Sequence, residues 1–143
     1  GHWFAMGELG RIRSSSYLGD TYTAYASAGY RFGNWTPYLS YAMVDPDVPI
    51  SDSGISPRGL PPEQAYVAGV LNGYLNHLLS TIAVQSTFTV GARWDVQPNV
   101  ALKLQYDRAV PTAGSRGALI NVRDDFVSDR PVHVASAVLD FVF

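Results

Sequence analysis

"TFTVGARWDVQPNVALKLQYDRA" (87–109) is two alternating runs set back to back around a tight turn. In the first run Phe88, Val90, Ala92, Trp94 and Val96 alternate with Thr87, Thr89, Gly91, Arg93 and Asp95. In the second, Val100, Leu102, Leu104 and Tyr106 alternate with Ala101, Lys103, Gln105 and Asp107. A side-chain period of two is that of a β-strand, with one apolar and one polar face. Gln97, Pro98 and Asn99 between the runs have the chemistry of a hairpin turn.

Four further segments share this period: 2–14, 21–32, 35–44 and 132–143, which with 87–96 and 100–109 make six predicted strands. Each is about the 9–11 residues that a tilted strand needs to cross a bilayer. In 21–32, Tyr22, Ala24, Ala26, Ala28, Tyr30 and Phe32 oppose Thr23, Tyr25, Ser27, Gly29 and Arg31. In 132–143, Ala135, Ala137, Leu139, Phe141 and Phe143 oppose a face with Ser136 and Asp140 among valines. The expectation is one apolar face without a charge and one polar face.

The connections alternate in length. Gly33 and Asn34 join the second strand to the third, and Gln97 to Asn99 join the fourth to the fifth; the stretches 15–20, 45–86 and 111–130 are longer. In an up-and-down chain all tight turns then lie at one end and all long loops at the other, the polarity of a transmembrane β-barrel with short periplasmic turns and long extracellular loops.

Composition agrees with that class. Charged residues are only 15% of the 143 residues, against about 25% in soluble domains. The net charge of −2 gives no electrostatic case for nucleic acid. Cysteine is absent, which excludes disulfides and thiolate metal sites. No run approaches the ~18 apolar residues of a spanning helix. The N-terminus has neither an initiator Met nor a signal-peptide pattern, so Gly1 is not expected to be the start of the gene product.

A soluble sandwich also alternates, with its apolar face turned inward, so the aromatics decide. Trp35, Trp94, Tyr30, Phe32 and Phe143 fall near the tight-turn end of the apolar face; Tyr22, Tyr41 and Tyr106 fall near the long-loop end. Ala, Val and Leu fill the middle. This is the pattern of two aromatic girdles around a lipid belt. Turning Trp3, Ala5 and Leu9 to lipid adds Trp3 to the girdle and puts Glu8 on the polar face; Arg11 then needs a local irregularity near Gly10 or a place at the headgroup rim.

"YRFGNWTPYLSYA", "FTVGARWDVQPNVALKLQYDR" and "VASAVLDFVF" resemble the C-terminal strands of Gram-negative outer-membrane porins. The resemblance covers most of the chain, least securely the first strand and the loops. It implies that Ala135, Ala137, Leu139, Phe141 and Phe143 form the signal read by the barrel-assembly machinery. It also implies an integral outer-membrane location among lipid and lipopolysaccharide. Natural single-chain barrels start at about eight strands, so residues 1–143 are expected to be the C-terminal part of one larger barrel domain. A barrel shared among several copies is the lesser alternative. The function implied is passive diffusion of small hydrophilic solutes, without a cofactor. A non-conducting structural or adhesive barrel and a soluble β-rich binding domain are the other readings. Porins are commonly trimers, which makes a homotrimer a further expectation, though no stretch marks a subunit interface.

Arg31, Arg93, Lys103, Asp95, Asp107, Asp140 and Glu8 are the expected pore-lining residues. They would set a transverse field, or cross-pair to neutralise a polar interior. In 45–86, Pro61 and Pro62 followed by Glu63 predict a helix start. Val67, Val70, Leu71, Tyr74, Leu75, Leu78 and Ile82 form an apolar stripe opposite Asn72, Asn76 and Ser80. Such a helix would either narrow the mouth of the barrel or cap it, its stripe packed on neighbouring loops or on a second helix outside this sequence; the cap is favoured. The stretch "RDDFVSD" (123–129) could bind a divalent cation, but reads more simply as a solvated loop. His2, His77 and His133 lack ligand spacing, no catalytic motif occurs, and His133 and Ser136 point to opposite faces of one strand. No enzymatic activity and no metal site are expected.

Overall fold

The computed structural model describes residues 1–123 and 125–142. Its strands are β1 (Trp3–Ile12), β2 (Thr21–Tyr30), β3 (Trp35–Pro46), β4 (Gln85–Gln97), β5 (Val100–Pro111) and β6 (Val132–Phe141), with one helix, α1 (Pro62–Leu79), between β3 and β4. The strands form one antiparallel sheet in chain order, β1-β2-β3-β4-β5-β6. The protein is therefore all-β and up-and-down. The sheet is open: β1 and β6 are edges, and these strands do not close on one another.

Local chemistry sets each turn. The β2–β3 hairpin is closed by reciprocal backbone bonds between Phe32 and Trp35. Gly33 takes φ +58° at the first of its central positions, which an L side chain rarely adopts and a II′ turn requires. At the β4–β5 hairpin only Pro98 and Asn99 lie between the strands, because Gln97 still pairs with Val100 across a bulge at Asp95/Gln97. Asn99 adopts φ 68° there, a conformation Asn tolerates better than most residues.

The register carries one face unbroken from β1 to β6. Ala5, Ala28, Leu39, Val90, Tyr106 and Ala135 are successive cross-strand partners on the apolar face. That face is the exposed one: Leu9 is 87% and Leu139 60% accessible, while Ser27 and Thr89 on the polar face are 8%. Among the described residues, no second sheet or helix covers the apolar side chains. The polar face is the concave one, and cavities of about 710 and 440 Å³ open on it.

The loops at the long-loop end form a self-bonded layer around Ser115, which is fully buried. Its hydroxyl donates to the Ile82 carbonyl at 2.5 Å and accepts from the amides of Val84 and Gly117 at 3.1 and 2.8 Å. The Arg116 amide donates to the Ser80 carbonyl just past α1, and Thr112 to Val84.

Helix α1 corrects the expectation for its faces. Ala68 is its buried residue, and the inward face continues through Asn72 and Asn76. Both amide side chains act as backbone mimics. Asn72 bonds the N–H and C=O of Ile55 at 2.8 and 2.9 Å, and Asn76 bonds those of Asp52 at 2.9 and 2.8 Å. The apolar stripe does not pack on neighbouring loops: Val67, Val70, Leu71, Tyr74, Leu75 and Leu78 are exposed, and only Ile82, past the helix, is buried. The reason is satisfaction of backbone polar groups. The loop over α1 forms no ladder of its own, so paired amides serve it where leucines could not. Among the described residues α1 packs on no strand.

Ser115→Ala would leave the Val84 and Gly117 amides and the Ile82 carbonyl without this partner, at about 1–3 kcal/mol for each buried group left unsatisfied. The expected outcome is several-fold faster trypsin cleavage at Arg116 and Arg123 with the strands intact, read by mass spectrometry of the fragments.

Candidate functional site

Cross-strand register sorts the polar face into rows. Nearest the tight turns, Asp95 and Asp140 both flank Ala101. The next row holds Thr36, Arg93, Lys103 and Val138 as successive partners, with Arg31 continuing β2 at the same level. The third holds Phe4, Gly29, Tyr38, Gly91, Gln105 and Ser136. The fourth holds Met6, Ser27, Ser40, Thr89, Asp107 and Val134. Glu8, opposite Tyr25, is one row further towards the long loops.

All seven expected wall residues thus lie on one face, and four of them meet. Arg31 donates to Asp95 at 2.8 Å, Arg93 donates to the other Asp95 oxygen at 2.8 Å, and Arg93 approaches Asp140 at 3.7 Å. These charges cross-pair between β2, β4 and β6, and the cluster borders the 710 Å³ cavity.

The other three stand apart. Asp107 accepts from Thr89 at 2.5 Å and from Gln105 at 2.9 Å, and Tyr38 donates to Gln105 at 2.8 Å. Lys103 has no carboxylate partner among the described residues; its ammonium lies over the Tyr38 ring, 5.4 Å from the centroid. It also stands directly opposite Arg93, a like-charge pairing that costs energy in a sheet. Glu8 likewise has no ion-pair partner among the described residues.

The aromatics gather at the edges of the apolar face. Trp35 and Trp94 stack at 5.2 Å with their planes 1° apart, and Trp3 packs on Tyr30 at 4.7 Å; Phe32 sits exposed at the β2–β3 turn. At the other end Tyr106 bonds His133 at 2.7 Å, and Tyr22 lies under the Arg11 guanidinium. Tyr41 and Tyr106 are both deeper than expected, Tyr41 level with Ala26 and Phe88 and Tyr106 level with Leu39 and Val90, although the Tyr106 hydroxyl reaches His133. Phe143 lies outside the described residues.

The apolar face is not free of charge, contrary to expectation. It carries Arg11, Asp45 and Arg108, which align with Tyr22, Tyr22 and Phe88. All three sit at its long-loop edge. Arg11 needs no irregularity, since the β1–β2 register is unbroken. It resolves its position at the rim by donating to Asp20 at 2.7 Å. Arg108 follows the parity of β5 and was legible from spacing; the Asp20 partner, in a loop, was not.

These polar residues and the aromatics bound an oblique belt. Through the register, Arg11 on β1 is level with Asp45 on β3, while His133 on β6 is level with Tyr41, four residues lower (45 − 41). At the other edge Trp3 is level with Pro37, while Leu139 is level with Trp35 and Phe141 falls one apolar position lower still. Four residues are about 13 Å and the sheet's five strand spacings about 24 Å, so the belt crosses the strands at a tilt of roughly 30°. From Trp3 to Arg11, and from Phe141 to His133, the belt is eight residues long, about 26 Å along the strand and ~23 Å once tilted.

Among the described residues no three His, Asp or Glu side chains converge to hold a metal ion. Asp125 in the acidic stretch pairs with Arg123 at 3.3 Å, Asp129 accepts from the Ala113 amide, and Asp124 lies outside the described residues.

The Arg11 guanidinium, and then the Ser14 amide, hold the Asp20 carboxyl below the usual carboxylate range. A depressed folded-state value stabilises the loop above the unfolded value of about 3.9 and is lost as pH falls through the folded value. Hydrogen exchange of the amides in 13–20 is therefore expected to keep the same protection, after correction for intrinsic rates, from pH 7 to 5. Protection falls only below about pH 4, and Asp20→Asn removes that pH dependence.

Comparison with protein-family models, with curated proteins and with solved structures finds no match for this chain.

Proposed function

We propose that the sheet is part of a closed outer-membrane β-barrel whose polar face lines a channel for passive diffusion of small hydrophilic solutes. The observation that carries this reading is the bare apolar face with its oblique belt. A belt about 23 Å high, its normal roughly 30° from the strands, is close to the ~25 Å apolar band and a few degrees short of the 35–45° strand tilt of transmembrane barrels. A soluble sheet has no reason to expose its apolar side chains and shield its hydroxyls. No helix among the described residues is long and apolar enough to cross a membrane, which leaves spanning by strands unaffected.

Closure follows from the edges. Unpaired N–H and C=O groups on β1 and β6 would each cost several kcal/mol in hydrocarbon, so further strands pair there in the membrane. On this reading the apolar residues Ala135, Ala137, Leu139 and Phe141 of β6, with Phe143 beyond, are the assembly address. Lipid and lipopolysaccharide surround the belt, and the chain makes and breaks no bond. Arg31, Arg93, Lys103, Asp95, Asp107, Asp140 and Glu8 form part of the channel wall.

The chain's three tryptophans, Trp3, Trp35 and Trp94, all sit at one edge of the belt. Lipids brominated near the headgroup are expected to quench their fluorescence more than lipids brominated near the chain end, and equal or absent quenching would sink the membrane reading. Protein extracted from the outer membrane should migrate differently when unboiled and should conduct KCl in a planar bilayer. A heat-modifiable band without conductance would instead favour a structural or adhesive barrel.

A further inference from the structure

The polar face breaks its own rule on β1, where Phe4 and Met6 stand among hydroxyls and charges. Phe4 and Tyr38 share a row with Gly29 and Gly91 between and beside them. A β-carbon at Gly29 would collide with the Phe4 ring, and one at Gly91 with the Tyr38 ring. The two rings therefore lie down against the wall and occupy the space the glycines leave. Beside this aromatic row runs the cationic row of Arg31, Arg93 and Lys103, two residues away along each strand, or about 7 Å. Phe4, Tyr25, Tyr38, Arg93, Lys103 and Gln105 line a common cavity of about 440 Å³.

Charge in this band is incompletely compensated. Asp95 serves both Arg31 and Arg93, with Asp140 assisting. Lys103 faces Arg93 across the strands, lies over the Tyr38 ring and has no carboxylate partner among the described residues. A ligand carboxylate between Arg93 and Lys103 would relieve their repulsion with charge-assisted hydrogen bonds. A planar apolar body attached to it would lie against the Tyr38 ring, with Phe4 facing it across the common cavity. An inorganic anion would use the cations and leave the rings idle.

We propose that Phe4, Tyr38, Arg93 and Lys103 form a binding subsite for small aromatic carboxylates on the channel wall. The inference rests on the reading of the polar face as a channel lining and adds the chemical class that the wall favours. Cationic and uncharged aromatic solutes lack the match to Lys103, and aliphatic carboxylates lack the match to the rings.

The test uses protein extracted from the outer membrane, with benzoate as probe and acetate and benzyl alcohol as controls, read by saturation-transfer NMR. Benzoate is expected to bind about tenfold more tightly than either control. Lys103→Gln should weaken benzoate about five- to tenfold, Lys103→Arg should restore most of it, and neither should alter benzyl alcohol, as expected for one charge-assisted contact. Thr36→Glu puts a carboxylate beside Arg93 without removing a ring or a cation and should abolish benzoate binding, so the idea does not depend on one variant folding. Equal binding of benzoate and acetate, or benzoate binding unchanged in Lys103→Gln and in Thr36→Glu, overturns the subsite. KCl conductance separates this from the channel reading: conduction without benzoate preference rejects only the subsite, and benzoate binding without conduction rejects the channel.

Discussion

A one-residue slip between β3 and β4, with the later junctions kept, would carry Arg93, Lys103 and Asp107 to the apolar face and Trp94, Leu102 and Leu104 to the polar one. With a side-chain period of two, register fixes the destination of every residue on a strand at once. Holding one register over five strand junctions is the constraint on which both faces depend, and the tight turns help to enforce it. At Phe32–Trp35 a two-residue turn leaves no slack. At Asp95/Gln97 the bulge absorbs one residue, so Trp94 still meets Leu102 and Asp95 still meets Ala101. Without that bulge, the Pro98–Asn99 turn would set β5 out of phase.

Strands and faces were legible because one physical rule, alternation, acts locally. Tyr22 to Tyr30, Phe88 to Trp94 and Val100 to Tyr106 need only their own sequence to be assigned. The strand ends at the long loops were less legible: β3 runs on to Pro46 and β4 begins at Gln85, since Met43 and Val44 pair with Ser86 and Gln85 whatever the composition there. Within the candidate site, parity placed Arg31, Arg93, Asp95 and Asp140 on one face, but their meeting depended on register between β2, β4 and β6. The rings of Phe4 and Tyr38 were missed for a different reason. Their position depends on Gly29 and Gly91 of neighbouring strands, and a glycine inside a strand signals a close approach without saying by what.

Helix α1 shows where periodicity misleads. Its apolar stripe is real in sequence, but the usual inference that such a stripe faces a core fails because the buried groups at that end, Ala68, Ile82, Ala109 and Ser115, leave the stripe outside. What holds the helix is the pair of amides at Asn72 and Asn76, one turn apart, each bonding both backbone groups of a loop residue. Ser115 does similar work from the 111–130 side. The long loops are thus tied to each other by polar bonds, while the strands below carry the exposed apolar belt. On the proposed membrane reading, the two halves follow opposite rules because they would meet different surroundings.

The charge layout of the wall follows from the same rows. Asp95 and Asp140 lie one row nearer the tight turns than Arg31, Arg93 and Lys103, a separation of about 7 Å that is shorter than the ~8 Å screening length of physiological salt. If the polar face lines a channel as proposed, opposite charges that close would act on a passing ion as a layered dipole along the strands rather than as a field from one wall to another. Pairing weakens the layer without erasing it, because Arg93 must share Asp95 with Arg31 and Lys103 has no carboxylate partner among the described residues. The residual positive charge is therefore concentrated at the Lys103 end of the cationic row, beside Tyr38. As the wall of the proposed channel, this face would be nearly neutral as a whole and would still meet a solute with a local preference for anions.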